Sequence, residues 1–403
     1  MTMPQTRHYE MKDSGVEWIG EMPSHWNTLR LQKIYRIKKD IAGTAGYTVL
    51  SVTQHGIKPK NMDSKGQFAL DYSKYQLVKS GDFVMNHMDL LTGWVDISKY
   101  DGVTSPDYRV FTSIANCQNT FFKYIFQFCY MNRVFYGLGQ GVADVGRWRL
   151  PADMFRKFML PVPPLSEQTA IAAYLDKKCA TIDAIIAEAK ASIEEYKSWK
   201  APVIFETVTK GLNPNAEMKD SGVEWIGEIP KGWKVKAAKY CVEIHHGSNP
   251  VTEGDVPVYG SGADSFKTCG EYKEGPAVLV GRKGATLHIP HYIIGRYWNV
   301  DTAFDVKAHP DFSLKFYYYL AICFDYKFYI SQTTLPGMTQ TNYRNMPIPV
   351  PPLSEQASIV SYLDRKCSLI DGIILEKEEL IKELEHYKRS LIFEAVTGKR
   401  RVC

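Results

Sequence analysis

Hydrophobic positions along this 403-residue chain follow two different periods. From 166 to 210, and again from 354 to 403, apolar residues recur at alternating steps of three and four. In the first stretch Leu175, Ile182, Ala189, Tyr196 and Val203 form one row, with Cys179, Ile186 and Ile193 beside it. In the second, Leu363, Ile370, Leu384 and Leu391 stand beside Cys367, Ile374 and Ile381. Lys377 interrupts the first row of the second stretch, and Lys200 and Lys388 end the second rows. A seam sustained over this length predicts two long helices of the coiled-coil type. Paired within one chain they run antiparallel; pairing between two chains is the alternative. At ~1.5 Å per residue, each helix is a rod of roughly 65 Å.

Elsewhere the period is two. YTVLSVT (47–53), GDFVMNHM (81–88), DYRVFTSI (107–114), PAVLVGRKG (276–284) and TAFDVKA (302–308) alternate and are punctuated by turn residues. They predict a curved, mostly antiparallel sheet in each of two globular segments. Each segment also holds one aromatic helix, at 119–138 and 313–330. Aligning Cys129 with Cys323 pairs Phe122 with Phe316, Tyr124 with Tyr318 and Arg133 with Lys327, so the segments are expected to share a fold. The rings recur at helical spacing and read as core rather than as a base-stacking platform.

The order of these elements is a tandem duplication. MKDSGVEWIGEMPSHW (11–26) returns as MKDSGVEWIGEIPKGW (218–233), identical at thirteen of sixteen positions and offset by 207. Residues 161–209 match 349–397 at 27 of 49 positions, offset by 188, and both begin PVPPLSEQ. That octet reads as an extended proline lead-in followed by a helix N-cap at Ser166 or Ser354, with Glu167 or Glu355 in the first turn. The expected division is 1–160 globular, 161–211 helix, 212–348 globular and 349–403 helix. The shared parts look like scaffold, and the divergent interiors look like readers.

Composition narrows the class. Apolar residues are 45% and charged residues 23%, as in an ordinary globular chain. No apolar run reaches the ~18 residues that a membrane span needs, and the first ten residues lack the apolar core of a secretory signal. Eight cysteines without a C-x-x-C pair fit buried thiols in a reducing cytoplasm rather than a disulfide or zinc framework. Net charge is +5 overall, but it is +6 over 27–155 and +2 over 234–345, while the helices are close to neutral. Positive charge thus gathers in the globular parts, as a polyanion-binding surface requires.

Loop residues that could meet bases or phosphates are Lys58, Lys60, Asn86, His87, Arg147 and Arg149 in the first segment. In the second they are Ser261, Lys267, Arg282, Lys283, Gln340, Asn342 and Arg344. Arg and Lys suit guanine edges and phosphates, and Asn and Gln suit adenine. Two motifs hint at methyl transfer: FYGLG (135–139) and SPDY (105–108). The glycine motif follows a helix rather than a strand, and Asp107 stands where the second motif needs a proline. Catalytic and metal-ligating residues are therefore assigned to none.

With these residues in view, the chain resembles the specificity subunit of type I restriction–modification enzymes. The carriers are the repeated MKDSGVEWIGE motif, PVPPLSEQ with YLD..C...ID.II, IFE.VT at each helix end, and the reader stretches 81–111 and 277–306. The resemblance implies an α+β fold: two target-recognition domains separated by two long helices in an antiparallel intramolecular coiled coil with pseudo-two-fold symmetry. It implies a non-catalytic protein that reads a bipartite, asymmetric site on double-stranded DNA. Its implied partners are two adenine-N6 methyltransferase subunits, with translocase–nuclease subunits as a possible addition. No cofactor is expected on this chain; S-adenosylmethionine and ATP belong to the partners. Two rivals stay open: a coiled-coil adaptor that never touches DNA, and a self-sufficient methyltransferase using FYGLG.

Overall fold

The two seams do form long helices. In the computed structural model, which describes residues 9–61, 71–141, 148–262, 264–329 and 337–402, the helices in chain order are α1 (Asn119–Met131), α2 (Val134–Gly137), α3 (Ala152–Lys157), α4 (Leu165–Lys210), α5 (Leu314–Cys323), α6 (Gln340–Asn345) and α7 (Leu353–Val396). The chain divides into two compact units: Met1–Glu188 with Leu380–Cys403, and Ala189–Glu379. Each unit thus takes one portion of α4 and one of α7.

In the first unit an antiparallel hairpin (Met11–Asp13, Glu21–Pro23) leads into strand Asn27–Arg30, which pairs with Met159–Val162 just ahead of α4. Beyond it lies a four-stranded antiparallel sheet in the order Tyr35–Lys38, Arg109–Ser113, Phe83–Met85, Val95–Ile97. Strand Arg109–Ser113 is central, and its Phe111 stacks on Phe83 with ring centroids 4.9 Å apart. Helix α1 covers this face: Phe121, Phe122, Ile125, Phe126 and Cys129 are fully buried against it. The aromatic run was expected to stay helical to 138. It breaks after Met131, where Arg133 takes φ 56°, a left-handed conformation that ends α1 and starts the one-turn α2.

The second unit repeats the plan. Hairpin Met218–Asp220 and Glu228–Pro230 precedes strand Lys234–Ala237, which pairs with Pro347–Val350 ahead of α7. Its main sheet runs Val242–His246, Ala303–Ala308, Ala277–Gly281, His291–Ile293, all antiparallel, with α5 packed on it. A second four-stranded sheet has no like-sized counterpart among the described residues of the first unit, and it contains a parallel pair, Val256–Tyr259 with Arg296–Asn299. The sheets are thus mostly antiparallel, as expected, with that pair as the parallel exception among the described strand pairings. Lys273 stands at this added sheet, donating to Asn299 Oδ1 at 2.8 Å and facing the buried Asp305 at 3.2 Å.

The matched sequences form matched bonds. Trp26 and Trp233, both buried, donate their indole N–H to Glu167 and Glu355, each at 2.9 Å. Gln168 Oε1 accepts from Gln118 N at 2.9 Å, and Gln356 Oε1 accepts from Ser313 N at 2.8 Å. Their Nε2 atoms donate to the Pro163 and Pro351 carbonyls, both at 2.9 Å. Each PVPPLSEQ therefore binds its own opening motif through the Glu and its own aromatic helix through the Gln. The helices start at Leu165 and Leu353, two residues earlier than N-caps at Ser166 and Ser354 would give, so both serines lie inside the first turn.

The bonds also correct the alignment of the aromatic helices. Tyr124 donates to Asp176 and Tyr319 to Asp364, each at 2.6 Å. Tyr124 thus corresponds to Tyr319, not Tyr318, and the N-caps Gln118 and Ser313 share that offset of 195. Matching the two cysteines slipped the register by one residue.

Within each unit the two long helices run antiparallel. In the first unit Lys388 pairs with Asp183 at 2.6 Å, and Arg400, just beyond α7, bonds Tyr174 nearer the start of α4. In the second, Lys200 pairs with Asp371 at 2.8 Å, and Gly211, past the end of α4, lies against Glu355 at the start of α7. Lys200 and Lys388, which end the seam rows, are thus repeat-related partners of Asp371 and Asp183. Gly211 has φ +74°, and a side chain there would press on Trp233, so the turn out of α4 requires glycine.

Candidate nucleic-acid interface

Sheet register fixes which reader positions are equivalent. The strands Tyr35–Lys38 and Val242–His246 each follow a 3-10 turn inside the shared frame. Opposite them, Phe111 faces Ile37 and Val306 faces Ile244, so Arg109 corresponds to Phe304. On the next strand Met85 faces Arg109 and Val280 faces Phe304, so two residues later His87 corresponds to Arg282. A backbone bond repeats there: Leu150 N to His87 O at 2.9 Å, and Met338 N to Arg282 O at 2.8 Å. Two of the predicted basic loops, NHMD and GRKG, are therefore the same loop of the fold.

The same loop carries opposite arrangements of charge. In the second unit Phe304 packs edge-on against Tyr343, centroids 5.8 Å apart, and Tyr343 donates to Gly281 O at 2.8 Å. Arg282 is half-buried; its Nη1 donates to the Asp301 carbonyl at 3.1 Å and lies 3.7 Å from the Asp301 carboxylate. Lys283 beside it is exposed. In the first unit the slot of Phe304 holds Arg109, 4% exposed, its guanidinium 4.6 Å from the ring centre of Phe155, the counterpart of Tyr343. Arg109 Nη2 donates to Leu150 O at 2.9 Å, while Nη1 is buried with no acceptor among the described residues. Burial, opposed by Tyr130 and aided by the charge of Arg156, pushes the Arg109 pKa down to about 10, so it stays charged near neutrality.

Around Arg109 lies a pocket of about 330 Å³ whose lining includes Lys38, Lys39, His87, Arg149 and Arg156, with Asp107 as the one carboxylate among the described residues. His87 Nδ1 is buried without a partner among the described residues. Burial, then the charges of Arg109 and Arg149, push the His87 pKa down to about 3, so the imidazole is neutral at ordinary pH. Lys38 is occupied by Asp82 at 2.7 Å. The SPDY turn forms part of the wall: Tyr108 N donates to Ser105 O at 3.0 Å, and Gln76 Nε2 to the carbonyls of Ser105 and Tyr108 at 3.0 and 2.8 Å. The other tempting motif is structural too. Phe135 is core, and Gly139 lies so close to the Trp148 indole that a side chain there would collide with it.

The remaining predicted residues divide. Lys58, Lys267 and Arg344 are exposed on strand Gly56–Pro59, strand Lys267–Cys269 and α6. Lys60 and Ser261 are half-buried in loops, Ser261 close to Gly284 of the GRKG loop. Three polar side chains are already engaged. Asn86 Oδ1 accepts from Met88 N at 3.3 Å, Gln340 Nε2 donates to Ile244 O at 2.6 Å, and Asn342 Nδ2 donates to Tyr329 O at 2.8 Å. Arg147 lies outside the described residues. Sequence reading missed Arg109, because it sits inside the alternating strand DYRVFTSI, where a charged residue reads as solvent-facing; the register comparison with Phe304 is the signal that finds it.

A family model described as type I restriction modification DNA specificity domain matches residues 25–195 and 230–386. The chain is similar, at 25% identity over 296 aligned positions, to the type I restriction enzyme MjaVIII specificity subunit of Methanocaldococcus jannaschii; the match spans 66% of each chain, just under two thirds. It is 22% identical to the putative type I restriction enzyme MjaX specificity subunit of the same organism, over 95% of this chain and 96% of that one. Among solved structures, a chain from a study of assembly and conformational transition in the type I R-M system superposes with a TM-score of 0.74 at 14% identity, covering 94% of this chain and 99% of its own. The HsdS subunit from Thermoanaerobacter tengcongensis gives a TM-score of 0.57 at 15% identity, covering 94% and 98%. These superpositions establish the fold.

Proposed function

Because this chain belongs to the type I restriction modification DNA specificity family, we propose that it reads a two-part, asymmetric DNA site and presents it to partner adenine-N6 methyltransferase subunits, and to translocase–nuclease subunits where these are present. The observation that carries this reading is the contrast between the repeats. The ties among opening motif, helix start and aromatic helix are the same in both units, while the equivalent reader loops bear different charges in different places. Equal scaffolds with unequal loops suit two half-sites of different sequence.

On this reading the chain performs no chemistry. Its exposed cations, Lys58, Arg149, Lys267, Lys283 and Arg344, supply phosphate and base-edge contacts, which set register and sequence respectively. Methylation of adenine N6 requires the base to leave the stack, and that step belongs to the partners with their S-adenosylmethionine. The long helices fix the distance between half-sites. Gln340 and Asn342 shape their loop from within, since their amide donors are held by backbone carbonyls.

Footprinting of the chain reconstituted with its methyltransferase subunits tests the proposal. Two separated protected stretches of unlike sequence are expected; the absence of any bipartite protection would leave the adaptor reading. Robust methyl transfer by the chain alone, with labelled S-adenosylmethionine, would favour the self-sufficient enzyme.

A further inference from the structure

We propose that the pocket around Arg109 in the first unit is a built phosphate site that seats one backbone phosphate of the bound DNA. The inference rests on the DNA-reading function above and adds to it a position and a chemistry. A fully buried arginine with an orphaned N–H is costly, because its charge is desolvated and one donor goes unused. The fold does not need it: the second unit fills the same slot with Phe304, which satisfies the packing against an aromatic partner with no charge at all. Arg109 therefore adds something that the scaffold does without.

What it adds is an acceptor-seeking surface. Nη1 of Arg109 has no acceptor among the described residues, and the guanidinium is held still by Phe155 on its face and Leu150 O at Nη2. The neutral His87 ring, also unpartnered at Nδ1, still carries one N–H. Arg149 and Arg156, both exposed, complete a ring of donors around a cavity whose only acid among the described residues is Asp107. A tetrahedral anion with acceptors on every side satisfies such a set, and a guanidinium fork suits phosphate geometry. Acceptor-only base edges, guanine N7 and O6 in the major groove or the A·T edge in the minor groove, are the other such groups of DNA. The convergence of three guanidinium groups favours the charged one.

Two measurements test this. In the first, the full chain is titrated with inorganic phosphate by calorimetry, alongside Arg109→Met, the exposed variant Arg149→Met and the control Lys231→Met, an exposed lysine paired with Glu217 outside the reader loops. One phosphate per chain is expected for the native protein and the control, with at least a tenfold loss in both arginine variants and a melting temperature for Arg109→Met no lower than native. Equal phosphate binding by native protein and Arg149→Met would overturn the proposal even if Arg109→Met failed to fold. In the second, DNA binding by the reconstituted complex is followed against salt. A phosphate contact predicts weaker binding across all sequences and a salt slope smaller by about one. Relaxed preference at a single base pair with an unchanged slope overturns the phosphate assignment in favour of a base edge. If the native complex binds no DNA, the parent function fails, and the phosphate titration still decides the pocket.

Discussion

The two units are one design executed twice, and their differences lie where a reader must differ. Trp26 and Trp233 meet Glu167 and Glu355 at the same 2.9 Å, yet on the strand beside the reader loop one unit buries Arg109 and the other buries Phe304. Bonds that join separate elements of the scaffold tolerate little change, because each element depends on the others for its position. A side chain at a loop or strand end can change freely so long as its slot stays filled. Recognition can then diverge without refolding the protein.

The comparison can be broken first at its scaffold. Trp26→Ala and Trp233→Ala should each destabilise their own unit by about 3–5 kcal/mol, the cost of truncating a buried indole. Denaturant unfolding read by unit-specific proteolysis checks this, and clearly unequal losses would contradict the equivalence. Next is the exchanged slot. Phe304→Arg should cost about 3–5 kcal/mol, because it places a charge in a site built for a ring and supplies no partner. Arg109→Phe should leave stability unchanged or raised while weakening DNA binding, which thermal melts and binding isotherms would separate.

Smaller effects sharpen it. His87 should remain neutral until pH about 3, against 6.5 for a free imidazole, as an NMR titration of the ring would show. A depressed folded-state pKa means that this group's contribution is fully present above about 6.5 and is lost as pH falls toward about 3. His87→Gln should remove that part of the acid sensitivity. Smallest of all, Lys200→Met and Lys388→Met should each change stability by only ~0–1 kcal/mol, since both ion pairs are partly exposed to solvent. A double-mutant cycle with Asp371 or Asp183 checks it.

Much of the architecture was legible in the residues, because its signals are local or repeated. The heptad rows announced α4 and α7: Leu175, Ile182, Leu363, Ile370 and Leu391 are buried, while Ile374, Ile381 and Leu384 are only half-buried. The duplicated motifs announced the two units. What failed was register. The aromatic helices are ring-rich on every side, so the Cys129–Cys323 match looked sound although the bonds to Asp176 and Asp364 place the register one residue away. The candidate site was legible only as a set of loops. His87, Arg149, Arg282 and Lys283 do stand on equivalent loops or their neighbours, but Gln340 and Asn342 spend their amides on backbone carbonyls. Such commitments arise between residues about 100 or 13 apart and leave no local trace. Arg109 was hidden for the converse reason: its burial depends on Phe155, which arrives 46 residues later.

The account stands or falls on unequal readers carried by equal scaffolds. Sequencing the methylated adenines of cells that carry this chain, compared with cells that lack it, measures this directly. The account predicts one added methylation motif made of two dissimilar halves separated by a fixed gap. A single uninterrupted motif, or two identical halves, would contradict it.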